Sequence, residues 1–347
     1  ILDIVNEEYG IILTKGGNVC ISFKVKEPEC YSLSREDIDL RDKMLKEAFR
    51  FLPEGCYIHK QDIFQKKYYH SVPMNWSFLD IADAKHFENR LYMQHTCVLH
   101  FVLTGLKSLE KSYISSPLKY KENLHKDDLE KLSNFLEAIN NCISILKNLR
   151  DTQIISIKGD ELRNLILGYS NLFVETNAIT DIHVDNELHV GKIKARYFCI
   201  CDETMFPDNS VSSYVKDSSL PMANAELYHP LLEELGMYLP YNHIVNQIIY
   251  LEGNEKLRAQ IARNIDIYGS NSSMSKSIKV QFEKLDKLQE EILEENEILV
   301  RTHFSVCIFD ESGSNLDKAE KTVKETLNIN QFKYYICLLY TSPSPRD

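Results

Sequence analysis

Apolar and polar residues alternate along several short segments of the chain, and this period of two predicts β-strands. Tyr9–Val25 is predicted to form two strands joined at the sequence GGN, because those residues tolerate the positive φ of a tight hairpin. In Cys56–Phe64 the alternation places His59 and Gln61 on one strand face and Lys60 and Asp62 on the other. Further strands are predicted at Cys97–Leu103, Asn242–Gly253 and His303–Asp310, and in the strand-rich region around Asp181–Asp202.

Other segments repeat apolar residues every three or four positions, which predicts amphipathic helices. The first is expected from Arg35, with Ser34 as its cap, and ends before Pro53. A long helix runs from about Asp127 to Leu149. The remaining predicted helices are Phe78–Leu91, Glu161–Tyr169, one that ends near Tyr268, Lys276–Leu299 and Asn315–Leu327.

The intermixing of strands and helices predicts an α+β fold with mixed or antiparallel sheets and packed helices. β-α-β order recurs in both halves of the chain, so residues 1–202 and 225–336 are candidates for two related subdomains. The Ser/Asp/Pro-rich stretch at 203–224 is predicted to be the loop or linker between them.

Charge, apolar run length and cysteine usage narrow the class of protein. The formal net charge of −11 argues against a nucleic-acid coat, so we predict no direct nucleic acid binding. The longest apolar stretches fall short of the ~18–20 residues that span a bilayer, and no segment resembles a signal peptide. The nine cysteines are odd in number and mostly lie in apolar runs, as free thiols do in a reducing compartment. These features predict a cytoplasmic protein.

Nucleotide-binding motifs are missing from the sequence. A P-loop needs G-x-x-x-x-G-K-[ST], and none of the twelve glycines begins such a run. No G-x-G-x-x-G follows a predicted strand. We therefore expect no nucleotide or other cofactor to bind this chain.

Two clusters contain residue types that could carry chemistry. Cys199 and Cys201 lie near His183 and His189, but their C-x-C and H-x5-H spacings differ from the tight ligand pairs of structural zinc sites. A metal site and buried thiols beside part-exposed histidines both remain open, and the spacing favours the thiols. The H-x-x-D of the Cys56–Phe64 strand could pair a base with a carboxylate, or be a polar cluster of the strand. No catalytic residue and no metal ligand is assigned.

The predicted helix Lys276–Leu299 is acidic in its second half. Such a charged face is usually the solvated side of a helix, although it could dock a basic partner or serve as an arm between subunits.

Four segments resemble the N-terminal region of TraG-type conjugation ATPases from Bacteroides-type conjugative transposons. They are VCISFKVKEPECYSLSREDID, LPEGCYIHKQDIF, YNHIVNQIIYLEGNEKLRAQI and ILVRTHFSVCIFDES. Their order and approximate separation agree with that family over nearly all of Tyr9–Ile336. The positions that match family motifs, with a structural or docking role, are His59, Lys60, Gln61, Asp62, Phe64, Asn246, Gln247 and Tyr250. Ile63 stands where the family has an aromatic residue.

The resemblance implies a specific function. The full-length family member is the cytoplasmic motor of a type IV secretion apparatus for conjugation, with a C-terminal RecA-like ATPase domain that holds the P-loop, ATP and magnesium. Its N-terminal α/β region docks on the inner-membrane components of that apparatus. This chain would then be the docking domain, truncated before its P-loop and inactive alone.

The same resemblance implies the partners and the location. The chain would contact inner-membrane components and its own missing ATPase domain, form a homo-oligomer when full length, and associate peripherally with the inner membrane through those partners. The alternative is a stand-alone, non-enzymatic interaction module that uses the acidic helix.

The last eleven residues, Cys337–Asp347, differ in composition from the rest of the chain. The sequence CLLYTSPSPRD resembles one translated frame of an adapter used in DNA sequencing libraries. We therefore expect a non-native tail and leave it out of the fold prediction.

Overall fold

The computed structural model of the protein describes residues 3–6, 10–14, 17–28, 34–71, 77–106, 126–173, 179–185, 187–207, 214–216, 228–230, 232, 234–271, 273, 275–295 and 298–337. Seven α-helices lie within these residues. They are α1 (Arg35–Phe49), α2 (Phe78–Phe87), α3 (Lys126–Leu146), α4 (Gly159–Ser170), α5 (Asn254–Asn271), α6 (Lys276–Glu295) and α7 (Gly313–Ile329).

The described strands form one large antiparallel sheet of twelve strands and a separate two-stranded ribbon. The strands are β1 (Asp3–Asn6), β2 (Ile11–Leu13), β3 (Val19–Lys26), β4 (Cys56–Tyr68), β5 (Leu91–Leu103), β6 (Gln153–Ser156), β7 (Ile182–Val184), β8 (Leu188–Val190), β9 (Ile193–Ile200), β10 (Tyr214–Lys216), β11 (Tyr228–Pro230), β12 (His243–Tyr250), β13 (Arg301–Asp310) and β14 (Tyr335–Cys337). β10 and β11 form the ribbon. The protein is an α+β fold, as predicted.

The large sheet has the order β1-β2-β3-β5-β4-β12-β13-β9-β8-β7. β6 pairs with β3 beside β2, and β14 pairs with β9 beside β8. The order is the same when it is read from either end, with β4 and β12 as the central pair. β1 to β6 therefore correspond to β7, β8, β9, β12, β13 and β14.

This correspondence relates the two halves of the chain by an approximate two-fold axis through the β4–β12 pair. α3 connects β5 to β6, and α7 connects β13 to β14 at the equivalent place. The topological repeat divides the chain between α4 and β7, whereas the sequence analysis places its linker at 203–224. Because β4 and β12 pair along eight residues each, both predicted subdomains share one sheet. The division into subdomains at 1–202 and 225–336 stays a prediction.

Three helices cover one face of the sheet. α1 and α3 lie over the first half, where Ala48 and Phe135 share a buried core with Phe101 of β5. α7 lies over the second half, where Leu316 shares a core with Ile308 of β13. The helical period of these segments follows from this arrangement, because one side of each helix is buried against strands.

The opposite face has a different cover. Leu162 of α4 shares a core there with Val98 of β5, Ile244 of β12 and Cys307 of β13. Strands from both halves thus contribute to one buried layer across the centre of the sheet. Residues adjacent along β12 and β13 alternate between the two faces, which fixes their register.

Local sequence signals explain where the first two helices begin. Ser34 caps α1, and its hydroxyl accepts a hydrogen bond from the Asp37 N–H while the Asp37 carboxylate accepts one from the Ser34 N–H. Ser77 and Asp80 form the same reciprocal capping box at the start of α2. The predicted cap at Ser34 is confirmed, and α1 ends at Phe49, ahead of Pro53.

Several predicted bounds differ from those observed. β5 begins at Leu91, six residues before the predicted strand, and β4 continues past Phe64 to Tyr68. α2 is correspondingly shorter than predicted. The cause is long-range pairing. β4 and β5 pair with each other along their full length, so their polar ends are also held in strand conformation.

Part of the predicted linker at 203–224 is ordered as a 3-10 turn (Glu203–Met205) and β10. Position 186 in the predicted strand-rich region, the Gly16 turn residue and the tail residues 338–347 lie outside the described residues. Cys337 is the last residue of β14. Among the described residues, no helix has the length and apolar character needed to cross a membrane.

Candidate functional site

Two of the four segments that carry the family resemblance lie side by side. β4 contains the HKQDIF segment and β12 contains NQIIY, and they pair in the centre of the sheet. Gln61 lies opposite Asn246, and Lys60 lies opposite Gln247. The sequence positions of these residues differ by more than 180, so only folding brings them together.

On the face covered by α4, a hydrogen-bonded network crosses the central strands. The Gln61 side-chain nitrogen donates to Asn246 Oδ1 at 2.9 Å, and His59 Nε2 lies 3.0 Å from the same oxygen. Because an amide oxygen only accepts, His59 is the donor and its neutral ring carries the proton on Nε2. The Asn246 nitrogen in turn points to the Ser305 hydroxyl of β13 at 3.5 Å.

The network continues into the first half of the sheet. His100 Nε2 lies 2.9 Å from Gln61 Oε1, and the other ring nitrogen lies 2.7 Å from the Ser22 hydroxyl on β3. The Gln61 oxygen only accepts, so His100 donates through Nε2 and accepts from Ser22 through Nδ1. Every step from Ser22 to Asn246 therefore has a donor and an acceptor.

Burial keeps both histidines of this network neutral. It lowers the pKa of His59 to about 4 and the pKa of His100 to about 3, because the charged imidazolium is poorly solvated inside the protein. Their rings are 5.5 Å apart, so a second charge would also be repelled by the first. Burial likewise raises the pKa of Tyr169 in α4, whose hydroxyl interacts with Gln61.

The Ser22–His100 pair has the spacing of a nucleophile and its base. Ser22 is fully buried beneath the sheet face, with 0% of its surface exposed. No substrate atom could approach that hydroxyl without opening the core. The arrangement is therefore a structural polar network that fixes strand register, rather than an exposed catalytic group.

The opposite face of β4 holds a second group. The Asp62 carboxylate accepts from Lys60 Nζ at 2.5 Å and from His95 Nε2 at 2.9 Å. Burial opposes ionisation of Asp62, but the His95 and Lys60 contacts outweigh it and lower the pKa of that carboxyl to about 2. His59 and Asp62 lie on opposite sheet faces and cannot act together as a base and its orienting carboxylate.

Phe64 is clamped between two imidazole rings on this face. His95 stacks on one side at a centroid distance of 4.5 Å and His243 stacks on the other at 4.4 Å. Both rings lie within 13° of the Phe64 plane. The motif phenylalanine thus links β5, β4 and β12.

The two remaining motif residues are less connected. Gln247 is exposed, and Tyr250 lies at the end of β12 opposite Tyr57 and Arg301. Sequence reasoning assigned no role to Ser22, His100, His95, His243 or Ser305, which complete the two groups. Alternation places each on a strand face, but nothing in the sequence identifies the strand beside it.

The side chains of the second cluster, which are His183, His189, Cys199 and Cys201, do not come together at one site. His183 and His189 pair across β7 and β8 and flank Asp185, with the nearer ring nitrogen 3.4 Å from the carboxylate. Cys199 is buried on β9, opposite Ser305. In the part of the chain that the structure describes, no three His, Cys, Asp or Glu side chains group to hold a metal ion.

Seven cysteines are free thiols, and of these all but Cys201 are buried: Cys20, Cys56, Cys97, Cys142, Cys199, Cys201 and Cys307. Burial raises the pKa of Cys20 to about 11 and that of Cys307 to about 12. Those thiols therefore stay protonated near neutral pH and pack as small apolar side chains.

Each half of the sheet carries a helical insertion between its two central strands. α2 lies between β4 and β5, and the hairpin of α5 and α6 lies at the equivalent place between β12 and β13. α5 and α6 pack mainly against each other. α5 has no buried residue, and Ile292 is the buried residue of α6.

Comparisons with known proteins add no identification. No family model matches the chain, and no curated protein matches it.

Proposed function

We propose that this chain is the N-terminal assembly and docking domain of a cytoplasmic conjugation ATPase that powers type IV secretion. It associates with the inner membrane through inner-membrane components of the apparatus. ATP and magnesium belong to a RecA-like motor domain encoded after it, and the full-length protein is a homo-oligomer. The proposal rests on the resemblance of four ordered segments to TraG-type ATPases, together with one feature of the fold.

The feature that carries the docking role is the helical hairpin of α5 and α6. It is inserted between the central strands β12 and β13, and its helices contact each other more than the sheet. Its seam is formed by half-buried residues such as Ile278, Phe282 and Leu285. A two-helix hairpin with so little buried surface is expected to gain stability when a third element packs on it.

Exposed apolar side chains lie on both helices of the hairpin. Leu293 on α6 is 64% exposed, and Ile267 on α5 and Val280 on α6 are each about half exposed. Solvent-exposed apolar residues on an insertion that the core does not need are typical of a docking element. The central network is compatible with this role, because it links β12 and β13, the two strands that the hairpin connects.

Co-purification tests the docking role directly. The chain is co-expressed with the inner-membrane proteins of a Bacteroides-type conjugation apparatus and recovered from detergent extracts. Ile267→Asp with Leu293→Asp is expected to reduce recovery of the partner by at least about tenfold, because both changes put charge into the contact. Ile329→Asp on α7 is the matched control, since Ile329 is 79% exposed and lies away from the hairpin. Equal recovery for all three proteins would contradict the proposal.

The source gene tests the motor assignment independently. The proposal expects the reading frame to continue past the codon for Ile336 and to encode G-x-x-x-x-G-K-[ST] within the next few hundred codons. A native stop codon soon after that position would refute it. ATP hydrolysis by the purified chain alone would also refute it.

The second candidate is a stand-alone interaction module that uses the acidic half of α6. Glu290, Glu291 and Glu294 are exposed there, which favours a basic partner. Binding of that kind should weaken steeply as salt screens the charges. A native stop codon together with salt-sensitive capture of a basic protein would support this candidate over the first.

A further inference from the structure

His243, the first residue of β12, has both of its ring nitrogens against backbone carbonyl groups. Nδ1 lies 2.6 Å from the carbonyl oxygen of Tyr241, and Nε2 lies 2.6 Å from the carbonyl oxygen of Leu235. The residue is fully buried, with 0% of its surface exposed. The ring therefore connects the central strand β12 to the π-helical turn Glu234–Tyr238 that precedes it in the chain.

The two carbonyl contacts set a requirement on the protonation of this ring. A carbonyl oxygen only accepts hydrogen bonds, so each contact needs a proton on the histidine nitrogen. A neutral imidazole carries one N–H, and its other nitrogen is an acceptor. With a neutral ring, one of the two 2.6 Å contacts would join two acceptors that repel each other. The imidazolium satisfies both carbonyl groups, because both of its nitrogens are donors.

Burial and hydrogen bonding act on the ring in opposite directions. Burial is the largest influence on the pKa of His243 and would lower it to about 4, because a charged ring is poorly solvated in the core. The carbonyl groups of Tyr241 and Leu235 raise that pKa, and so does the Asp62 carboxylate. The distances decide between these influences, because only the charged ring is compatible with two contacts of 2.6 Å to acceptor atoms.

The charges on the neighbouring strands leave Asp62 to balance a charge on His243. Contacts with His95 and Lys60 outweigh burial and hold the pKa of Asp62 at about 2, so the carboxylate stays ionised. Ile308, the partner of His243 on β13, is uncharged. The other ionisable side chains of β4, β5 and β9 on this face are paired or stacked, and they are Lys60, Lys66, His95 and Arg196.

Aromatic and apolar contacts hold the ring and the turn in place. The His243 and Phe64 rings are stacked with their centroids 4.4 Å apart, an arrangement that attracts a cation to the ring face. Gly236 of the turn lies beside the same phenylalanine, since a Cβ added there would be 3.8 Å from Phe64 Cζ. Leu235 and Leu239 share a buried core with Leu316 of α7. The turn thus covers part of the core beneath α7.

We propose that His243 is an imidazolium in the folded protein at neutral pH and acts as a proton-dependent clasp for the turn Glu234–Tyr238. The charged ring donates to the Leu235 and Tyr241 carbonyl groups at once. Loss of one proton leaves one carbonyl without a donor. The Leu235 contact is the one that opens, because Tyr241 is only two residues away along the chain. The turn then separates from β12 and uncovers part of the core beneath α7.

The clasp depends on neither the conjugation role nor the hairpin of α5 and α6. Its effect on stability has the opposite sign to that of His59 and His100. A folded pKa above the ordinary value of 6.5 gives a stabilisation that is complete below pH 6.5 and is lost as the pH rises through the folded pKa. The effects of the neutral histidines fall below pH 6.5, so the two can be measured separately.

Nitrogen-15 NMR of the whole chain, labelled at its histidine rings, tests the protonation state. The His243 signals are assigned by their loss in His243→Gln. At pH 7 both ring nitrogens of His243 are expected to show the chemical shifts of protonated nitrogens, and one of them to lose its proton between roughly pH 7 and pH 9. An unprotonated ring nitrogen of His243 at pH 7 would overturn the proposal.

Hydrogen exchange of the whole chain, followed by mass spectrometry and corrected for the intrinsic effect of pH, tests the clasp itself. Protection of the amides at 234–241 is expected to fall about tenfold for each pH unit between 6.5 and the folded pKa of His243. His243→Gln should loosen these amides already at pH 6 and remove the pH dependence, because its amide group does not titrate. The amides of α3, in the other half of the sheet, are the internal reference.

His95→Gln is the matched control for the exchange measurement. His95 stacks on the other side of Phe64 and donates to Asp62 instead of a carbonyl group, and glutamine can still donate to that carboxylate. This variant is expected to keep the wild-type protection at 234–241. Equal loosening by His95→Gln and His243→Gln would assign the effect to the ring stack and overturn the clasp. Wild-type protection that is no lower at pH 9 than at pH 6.5 would overturn it as well.

Discussion

The Gln61 side-chain nitrogen donates a 2.9 Å hydrogen bond to Asn246 Oδ1, across the strand pair where the two halves of the sheet meet. Both side chains are buried, and His59 and His100 each contact one of the two amides. The approximate two-fold axis of the fold passes close to this hydrogen bond. It joins two segments of the chain that are separated by 185 positions.

Removing the hydrogen-bond acceptor at position 246 should therefore destabilise the fold. Asn246→Ala leaves the Gln61 amide and the His59 ring without their shared acceptor inside the core. We expect the free energy of unfolding to fall by about 2–3 kcal/mol, as measured by urea denaturation. Gln247→Ala, at the exposed residue next to it on the same strand, should change it by less than about 0.5 kcal/mol. Similar losses in the two variants would contradict the structural role of the network.

The buried histidines predict a pH dependence of stability. The pKa of His100 is about 3 in the folded protein, whereas the ordinary histidine pKa of 6.5 applies to the unfolded chain. Below pH 6.5 the unfolded chain binds the proton more readily, so stability present above that pH is lost as the pH falls toward the folded pKa. Each such histidine contributes a loss of about 1 kcal/mol per pH unit.

Urea midpoints at pH 7.5 and pH 5 measure this loss. The range lies above both the ordinary aspartate pKa of 3.8 and the lower folded pKa of Asp62, so that carboxylate contributes little to the slope. His100→Gln should flatten the pH dependence relative to the wild type. A wild-type stability that is flat between these pH values would refute the neutral, buried state of His100.

Arg196 on β9 connects three acidic residues. Its guanidinium contacts Glu187, which lies between β7 and β8, and both Asp317 and Glu320 on α7. Arg196→Ala leaves two half-buried carboxylates without this partner, and we expect a loss of about 2 kcal/mol in unfolding free energy.

Two further variants separate the effect of the charge at position 196 from the effect of the guanidinium geometry. Arg196→Lys should recover little of the loss, because an ammonium group cannot span the three carboxylates as the guanidinium does. Lys279→Ala breaks an exposed i,i+4 pair with Glu283 on α6 and should cost only about 0.3–0.5 kcal/mol. Full recovery by lysine would show that net charge alone matters at position 196.

Gly10 packs so closely against the backbone of Ile157 that a larger residue does not fit there. Its φ is +68°, and an added Cβ would lie 2.4 Å from the carbonyl oxygen of Ile157. Gly10→Ala should lower the melting temperature through both backbone strain and this clash. Gly105→Ala is the matched control, because Gly105 also has a positive φ of +76° but open space around it. Gly105→Ala should cost about 1–2 kcal/mol from strain alone, and Gly10→Ala clearly more. Equal losses would rule out the clash.

The local features of the fold follow closely from the sequence. Ser34 and its partner Asp37 fix the start of α1, and the period of two in β4 separates His59 and Gln61 from Lys60 and Asp62, as predicted. The free, mostly buried state expected of the cysteines holds for the seven whose side chains the structure describes. Each of these depends on contacts within a few residues, or on alternation along a single strand.

The extents of the strands and the exposure of α2 were not predicted. The polar residues at positions 65–67 break the apolar pattern, yet β4 continues through them because β5 supplies hydrogen-bonding partners to Tyr68. The apolar residues of α2 suggested an ordinary packed helix. Only the end of the neighbouring strands at Phe64 and Cys97 leaves that helix projecting.

By itself, the sequence determined the elements, their caps and the side of each strand that a residue occupies. The tertiary structure alone decided which strands are neighbours, and so which residues meet. Alternation restricts Gln61 to one face of β4, but any antiparallel strand with a buried polar partner could lie beside it. The sheet order resolves that choice because burying both apolar faces and satisfying the central amides requires β4 and β12 to pair.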